Sequence, residues 1–421
     1  MSIARWHDAL REAFFRQGWL LLAVLPLTQI GGRALFNLMA GLYVVWGLLS
    51  LWSRRDRLDR STTLLYLALL GVTLAGVPGS VDPVGGLRVW IQFAAQTSTL
   101  LLVQAALRES PENIDRLLAA MALFGGIALA SLYLLLPYHW FEWSGQPFNP
   151  LTQLQEDNLP FLLPFLLGWI WRYGDRRWRY GAMLGVTAAA LGYVAISEGR
   201  AALFGLIVGL AGFCWAVLAW RPRWVALLAV WVLAVGVAAN IGPFLKAELD
   251  LEHPLDAFTA GRTIVWRHAL EHPPARPWLG VGIANASHSQ ELLRFELSGA
   301  QVQIKHFHNF LIDAWYETGI LGVGLLLALV GTVFVRLARI WRWLPVDDRQ
   351  RAGILLAAAL SIIAAALLSF SYTSRQFACY LFACLGGLIH FGRSRVGAAN
   401  PANADTDPNK RRRPLPRCVG R

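Results

Sequence analysis

Two histidines stand directly before an apolar segment in the second half of the chain. The stretch KHFHNFLIDAWYETGILG places Lys305, His306, His308 and Asn309 at the start of a predicted helix. The partial positive charge of a helix N-terminus disfavours the imidazolium form of a histidine. A histidine that stays neutral at pH 7 can accept a proton, so His308 is a candidate general base. Its structural alternative is a histidine satisfied by interfacial hydrogen bonds.

Arginines predicted near one membrane surface form the second group of candidates. Arg200 lies in SEGRAAL, at a turn between two apolar segments, and Arg262 opens GRTIVWRHALEH. Several guanidiniums at one site would bind a phosphate or diphosphate through paired hydrogen bonds. The structural alternative for each arginine is snorkelling or an ion pair, although an arginine at membrane depth is costly and usually has a partner or a function. The arginines in this group are Arg33, Arg88, Arg200, Arg262, Arg267 and Arg375.

Two histidine pairs have spacings that also suit zinc. One is the H-x-H pair His306 and His308, and the other is His268 and His272, which lie one helical turn apart with Glu271 between them. No cysteine and no clear third ligand accompanies either pair, so we expect no metal. The chain has no Walker A loop and no dinucleotide-binding glycine motif in a strand–helix setting, so we expect neither ATP nor a dinucleotide.

The elements that must position these residues are predicted transmembrane helices. The 421-residue chain is 56% hydrophobic and 15% charged, whereas a soluble protein carries about a quarter charged residues. Repeated apolar segments predict an all-α polytopic membrane protein with about 12 spans. The predicted spans are 17–31, 34–52, 62–79, 85–107, 114–136, 158–173, 180–197, 200–220, 223–243, 316–340, 351–370 and 374–392.

The predicted spans divide the chain into four parts. Residues 1–243 hold nine spans, 244–315 form one long loop, 316–392 hold three spans, and 393–421 form a basic tail that we expect to be disordered. Because a structureless loop of this length would be unusual, the sequence predicts a small functional subdomain there.

Three helical stretches are expected in that loop. The first is 259–272, an amphipathic helix capped by Thr259 or Gly261, and the second is 287–299. The third runs from Lys305 helically into the tenth span.

The charge distribution predicts an orientation. The net charge is +12, and most of the 38 Lys and Arg fall in cytoplasmic segments if both termini are cytoplasmic. The tail then contacts anionic membrane lipid, and no nucleic-acid partner is expected. None of the four cysteines lies in a predicted outside loop, so we expect no disulfide. The aromatic outside loop 137–157 reads either as an interfacial belt or as a platform for sugar or lipid.

Three motifs together resemble the O-antigen ligase family, within the O-antigen ligase/polymerase superfamily of membrane glycosyltransferases. HNFLIDAWYETGILG fits that family's signature H-[NSQ]-x9-G-x-x-G, from His308 to Gly322. GRTIVWRHALEHPPARPWLGVG resembles the superfamily segment GR…W…hPLlGvG. SEGRAAL resembles the SRGA turn but departs from it, because Glu198 and Gly199 separate Ser197 from Arg200.

The resemblance implies a GT-C-type architecture and an inverting glycosyl transfer without metal, ATP or any other cofactor. An undecaprenyl-diphosphate-linked glycan would be the donor and lipid A–core the acceptor, at the periplasmic face of the bacterial inner membrane. His308 would be the base, and Arg200 and Arg262 would stabilise the departing diphosphate. The supporting substrate-binding candidates are Arg33, Arg88, Arg267, Lys305, His306, Asn309 and Arg375.

Other functions remain open from the motifs. An O-antigen polymerase or a protein O-oligosaccharyltransferase would share the donor chemistry and differ in the acceptor. The chain length and the x9 spacing favour the ligase. A lipid-linked sugar flippase or transporter would place its polar groups near the bilayer midplane, whereas here they collect at a predicted outer edge.

Overall fold

The chain folds into packed α-helices in the computed structural model. The structure describes residues 32–142, 156–221 except Glu198, 259–288 except Ala260, 295–297, 300–302 and 306–393 except Gln376, with parts of 6–24 and 223–228. In chain order the helices are α1 (Trp19–Ala23), α2 (Gly32–Ser53), α3 (Arg60–Ala75), α4 (Pro83–Thr97), α5 (Thr99–Glu109), α6 (Asn113–Glu142), α7 (Leu159–Tyr173), α8 (Arg179–Ile196), α9 (Arg200–Ala216), α10 (Arg262–Glu271), α11 (Phe310–Ile340), α12 (Val346–Ala366) and α13 (Phe382–Arg393). A π-helical turn, Phe377–Leu381, leads into α13.

Several helices have the length and apolarity of membrane spans. Within the described residues, four are long and apolar enough to cross a membrane: Asn113–Leu134, Arg179–Ile196, Phe310–Trp343 and Val346–Ala366. Shorter apolar helices, such as Arg60–Ala75 and Arg200–Ala216, pack among them. The prediction of an all-α polytopic membrane protein is therefore confirmed. The total number of spans stays a prediction, since most of 223–243 lies outside the described residues.

The predicted span 85–107 is wrong as a single helix. It is two helices, α4 and α5, which meet at Ser98. The hydroxyls of Thr97, Ser98 and Thr99 donate to the backbone carbonyls of Phe93, Ala95 and Gln96 at 2.7, 2.6 and 3.0 Å. Hydroxyls that bond back to the preceding turn compete with the backbone hydrogen bonds of the helix and bend it. Three consecutive hydroxyl residues make such bonds where α4 ends and α5 begins.

Two predictions for the loop before α11 are also wrong. Within the predicted helix 287–299, Phe295–Leu297 is instead strand β1, paired antiparallel with β2 (Ala300–Val302). The expected helix from Lys305 begins only at Phe310.

Helix α9 packs closely along α12 through small residues. A Cβ on Gly205 would lie 2.9 Å from the Cβ of Ala365, and one on Gly209 would lie 2.8 Å from that of Ser361. The Ser361 hydroxyl donates to the Gly205 carbonyl at 2.8 Å. Small residues and hydroxyls of this kind hold helices together in a membrane, where hydrophobic burial does not. Because the two helices run antiparallel, the N-terminus of α9 lies beside the C-terminus of α12.

Helix α11 is broken at a glycine, and there its backbone lies close to that of another segment. Gly319 has φ 67° and ψ −171°, a conformation open to little but glycine. A Cβ there would lie 2.3 Å from the carbonyl carbon of Trp278. Gly280 faces the same break, with φ +68°, and its Cβ would lie 2.4 Å from the carbonyl carbon of Glu317.

The segment 277–282 pairs with the broken turn of α11. The amide groups of Ile320 and Leu321, left without helical acceptors, donate to that segment, and two amides of the segment donate back. The four bonds are Ile320 to Pro277 at 2.9 Å, Leu321 to Trp278 at 3.3 Å, Val281 to Tyr316 at 3.0 Å and Gly282 to Glu317 at 2.9 Å. This pairing fastens the segment that follows α10 to the first turns of α11.

We expect Gly319→Ala to destabilise the fold. The alanine would be strained at this φ and would collide with the Trp278 backbone, at a cost of about 3 kcal/mol. Gly324→Ala is the matched control, because Gly324 lies in the same helix and a Cβ there meets nothing within 4 Å. Thermal unfolding of the purified protein, followed by tryptophan fluorescence, should show a lowered Tm for Gly319→Ala alone. Equal Tm values for the two variants would contradict the role of the break.

Candidate active site

Three helices begin at the predicted functional residues. Arg200 is the first residue of α9, Arg262 is the first of α10, and Asn309 is the N-cap of α11 directly after His308. Helix N-termini carry unpaired N–H groups and partial positive charge, which together favour anions. The charge of Arg200 acts on Arg262, and the charge of Arg262 acts on His308, so the three N-termini face a common region.

The connection between α12 and α13, residues 367–376, holds that region together. The Arg262 guanidinium donates through Nη1 to the carbonyl of Leu368. The next carbonyl, that of Ser369, lies 3.3 Å from Nδ1 of His308. The Ser369 hydroxyl donates to Asp157 Oδ2 at 2.9 Å. One short segment therefore contacts an arginine, a histidine and an acid from three distant parts of the chain.

The backbone and ring of His308 have a defined arrangement. Its φ is +54°, an unusual conformation for a non-glycine residue. Because a carbonyl oxygen can only accept, the contact with Ser369 requires the proton on Nδ1 and leaves Nε2 as the basic nitrogen. The His306 ring packs against the His308 ring with centroids 3.9 Å apart, and His306 Nδ1 accepts the backbone N–H of His308 at 3.3 Å.

The surroundings of His308 keep it neutral. Burial, then the neighbouring His306 and the charge of Arg262, lower the pKa of His308 to about 4. Burial and Arg262 also lower the pKa of His306. Both histidines are therefore unprotonated at pH 7, as the position before a helix predicts for His308. A neutral imidazole with a free Nε2 can accept a proton.

Arg262 lies among charges of both signs. Burial and the charge of Arg200 lower its pKa, whereas Asp157 raises it. Burial raises the pKa of Asp157, although the Ser369 hydroxyl and the charge of Arg262 lower it. Arg262 thus lies between a second guanidinium and a partly buried acid, and two guanidiniums this close suit an added anion such as a phosphate group.

Residues behind the histidines fix their position. Asn309 Oδ1 accepts the N–H groups of Leu311 and Ile312 at 3.0 and 3.3 Å, which makes Asn309 the cap of α11. The backbone of Phe307 is held on both sides: its N–H donates to Asp313 Oδ1 at 2.9 Å, and its carbonyl accepts Trp266 Nε1 at 2.8 Å.

A buried acid in α11 joins the same support. Glu317 Oε2 accepts the backbone N–H of Ala284 at 2.9 Å and the hydroxyl of Tyr372 at 3.0 Å. Tyr372 belongs to the 367–376 connection and Ala284 to the segment after α10. Glu317 therefore ties both to the first turns of α11, just before the Gly319 break.

The sequence reasoning assigned no role to four of these groups, Asp157, Ser369, Asp313 and Glu317. For Ser369 the available signal was the run LSFSYTSRQF at 368–377, where hydroxyl residues separate two apolar segments.

The roles of the other predicted site residues stay predictions. Arg88 on α4 and Arg267 on α10 are exposed. Arg375 lies in the 367–376 connection and interacts electrostatically with Cys379. Lys305 and the side chain of Arg33 lie outside the described residues, so their roles stay predictions.

The second histidine pair does gain a third ligand. The ligand atoms of His268, Glu271 and His272 lie within 4.8 Å of one another at the C-terminal end of α10. The expectation that neither pair has a clear third ligand is therefore wrong here, because one helical turn brings Glu271 to the face of His268. This group lies at the opposite end of α10 from Arg262.

Comparisons with known proteins fall on the same part of the chain. Residues 185–327 match the family model described as O-antigen ligase. A stretch of 142 residues is 30% identical to the exopolysaccharide production protein ExoQ of Rhizobium meliloti (strain 1021). That stretch covers 32% of this chain and 32% of the relative, so the match spans about a third of the relative's length. The resemblance to the O-antigen ligase family is confirmed over residues 185–327, which include Arg200, Arg262 and His308.

We expect His308 to react with diethyl pyrocarbonate almost equally at pH 7 and pH 5. The reagent modifies neutral imidazole, and a pKa of about 4 leaves His308 neutral over this range. A free histidine derivative with an ordinary pKa should lose about 20-fold in rate over the same interval. Modification of His308 in the purified protein would be followed by mass spectrometry of peptides. A 20-fold loss for His308 itself would contradict the proposed environment.

Proposed function

We propose that this membrane protein, which carries the O-antigen ligase family's pattern over residues 185–327, is an O-antigen ligase. It transfers a glycan from undecaprenyl diphosphate to a sugar hydroxyl of lipid A–core, at the periplasmic face of the bacterial inner membrane. The observation that carries the proposal is a neutral histidine beside Arg262, on which the charge of Arg200 acts, with all three residues at helix N-termini. The family match and the relative named for exopolysaccharide production support polysaccharide synthesis of the ligase or polymerase type.

The transfer is a single displacement at the anomeric carbon. Nε2 of His308 accepts the proton of the acceptor hydroxyl as that oxygen forms its bond to the anomeric carbon. The bond from this carbon to the diphosphate oxygen breaks on the opposite face, so the configuration inverts. The electron pair leaves with the diphosphate, whose growing negative charge Arg200 and Arg262 stabilise.

Donor binding also makes His308 a stronger base. In the free protein the charge of Arg262 contributes to the low pKa of His308. A diphosphate bound between Arg262 and Arg200 offsets that charge, so the pKa of His308 rises. His308 therefore gains proton affinity when the donor is bound. It then accepts the proton of the acceptor hydroxyl more readily, whereas without donor it stays neutral.

The positions of the polar groups favour a transferase over a transporter. His308, Arg200 and Arg262 lie at helix ends and in connections, whereas a flippase would carry its polar groups near the bilayer midplane. A polymerase or a protein O-oligosaccharyltransferase would use the same donor groups. These alternatives differ from the ligase only in the acceptor, so the acceptor decides between them.

The first test is complementation of a Gram-negative strain that lacks its own ligase and has a matching lipid A–core. We expect the native chain to give polymer-length O-antigen ladders on lipid A–core, and an equally abundant His308→Ala variant to give none. His268→Ala is the matched control, since His268 lies toward the other end of α10 from Arg262. It should give ladders like the native chain.

Two outcomes of this test would change the assignment. Polymerised glycan that remains on undecaprenyl diphosphate would favour the polymerase. Ladders from His308→Ala equal to those of the native chain would remove His308 as the base.

Asp157 should position His308 through Ser369. Asp157→Ala removes the acceptor of the Ser369 hydroxyl, so we expect kcat to fall about tenfold, the usual size for loss of a supporting hydrogen bond. Asp157→Asn keeps an acceptor but removes a charge that competes with the donor for Arg262. It should leave kcat nearly unchanged and lower KM for the donor. Steady-state kinetics with a lipid-diphosphate donor measure both, and an equal fall in kcat for both variants would show that charge, not the hydrogen bond, matters.

A further inference from the structure

A cavity of about 350 Å³ lies at the opposite end of the helix bundle from the active-site residues. It lies where the start of α3 and the last turns of α11 and α13 meet. Its walls are mostly apolar, and its polar groups come from one acid and two arginines. The lining residues are Asp59, Val333, Arg336, Arg339, Ile340, Leu388, Ile389 and Gly392.

The first arginine is already anchored. Arg336 donates through Nη1 to Asp59 Oδ2 at 2.8 Å and through Nη2 to the Ser61 hydroxyl at 2.7 Å. Although burial raises the pKa of Asp59, hydrogen bonds from Thr62, Ser61 and Arg336 bring it to about 2. Asp59 is therefore ionised, and its Oδ2 accepts all of these bonds, including the one from Arg336, whose charge it balances.

The second arginine is not balanced. Arg339 lies three residues after Arg336, on the same face of α11, and is exposed. It makes no hydrogen bond or ion pair with any residue that the structure describes. The cavity thus combines one anchored guanidinium, one unengaged guanidinium and apolar walls. A free phosphate would pair with the guanidinium groups but would leave the apolar walls without a matching ligand group.

We infer that this cavity binds a bilayer phospholipid with an anionic headgroup. The phosphate would accept hydrogen bonds from Arg339 and from the open edge of Arg336, and an acyl chain would lie against Val333 and Leu388. Basic pockets between transmembrane helices bind anionic lipids in this manner. A zwitterionic headgroup fits less well, because its ammonium group would approach Arg339.

The lipid site is separate from the glycosyl-transfer site. Arg339 lies about 45 Å along α11 from its N-cap Asn309, at 1.5 Å per residue. The inference therefore stands whether or not the proposed function is correct. In the predicted orientation this end faces the cytoplasm, as does the start of the basic tail.

The test is native mass spectrometry of the full chain purified in detergent and titrated with dioleoyl-phosphatidylglycerol. The native chain should retain one lipid more tightly than it retains dioleoyl-phosphatidylcholine. Arg339→Ala should weaken that binding about fivefold, the effect of one basic residue on an anionic lipid. Arg342→Ala is the matched control, because Arg342 is exposed nearby but does not line the cavity.

A second variant tests the cavity rather than the charge. A Cβ on Gly392 has its nearest neighbour at 3.7 Å, the Cβ of Arg336, so a larger residue enters the cavity without a backbone clash. Gly392→Phe should exclude the lipid while Tm stays unchanged.

Three results would overturn the inference. They are equal binding of the two lipids, unchanged binding by Arg339→Ala, and displacement of the lipid by millimolar inorganic phosphate. The last would mark a phosphate site instead.

Discussion

The close approach of two backbones at Gly280 and Gly319 is the constraint on which the candidate site depends. Each glycine occupies a conformation that a Cβ would oppose, and each faces backbone of the other segment. The broken turn of α11 and the segment 277–282 then satisfy each other's amide and carbonyl groups. A buried backbone group without a partner would be costly, so the break and the pairing require each other. The consequence is a fixed relation between α10, which begins with Arg262, and the start of α11, which follows His308.

The electrostatics of the site follow from the same arrangement. Helix starts and the guanidiniums of Arg200 and Arg262 bring positive charge close to one partly buried acid, Asp157. Like charges placed close together repel one another, and a bound anion would relieve that repulsion. The neutral state of His308 is part of the same balance, since its low pKa reflects burial, His306 and Arg262. Because the charge of Arg262 lowers the pKa of His308, an anion bound at Arg262 would raise it.

The two ends of the bundle differ in chemistry. At one end, connections and helix starts bring arginines, histidines and acids from distant parts of the chain into one region. At the other end, α3, α11 and α13 leave an apolar cavity with an arginine anchored by Asp59. Between the ends, small residues hold helices in contact, as Gly205 and Ser361 do for α9 and α12. Helix α11 spans both regions, and this explains its length and the single break near its start.

Most of the helices and the first members of the site were predictable from the amino-acid sequence, although the break at Ser98 and the strands before α11 were not. Apolar segments long enough for a membrane form helices because backbone groups have no other partners in lipid. The histidine, arginine and glycine motifs could be recognised from the spacing of their residues. The tertiary structure alone decided which groups meet. Arg262 contacts a carbonyl 106 residues away, His308 one that is 61 residues away, and Ser369 an acid 212 residues away. No local pattern encodes such contacts, because they result from how α9, α11 and α12 pack. The sequence likewise could not show that Arg88 and Arg267, two of the supporting candidates, are exposed.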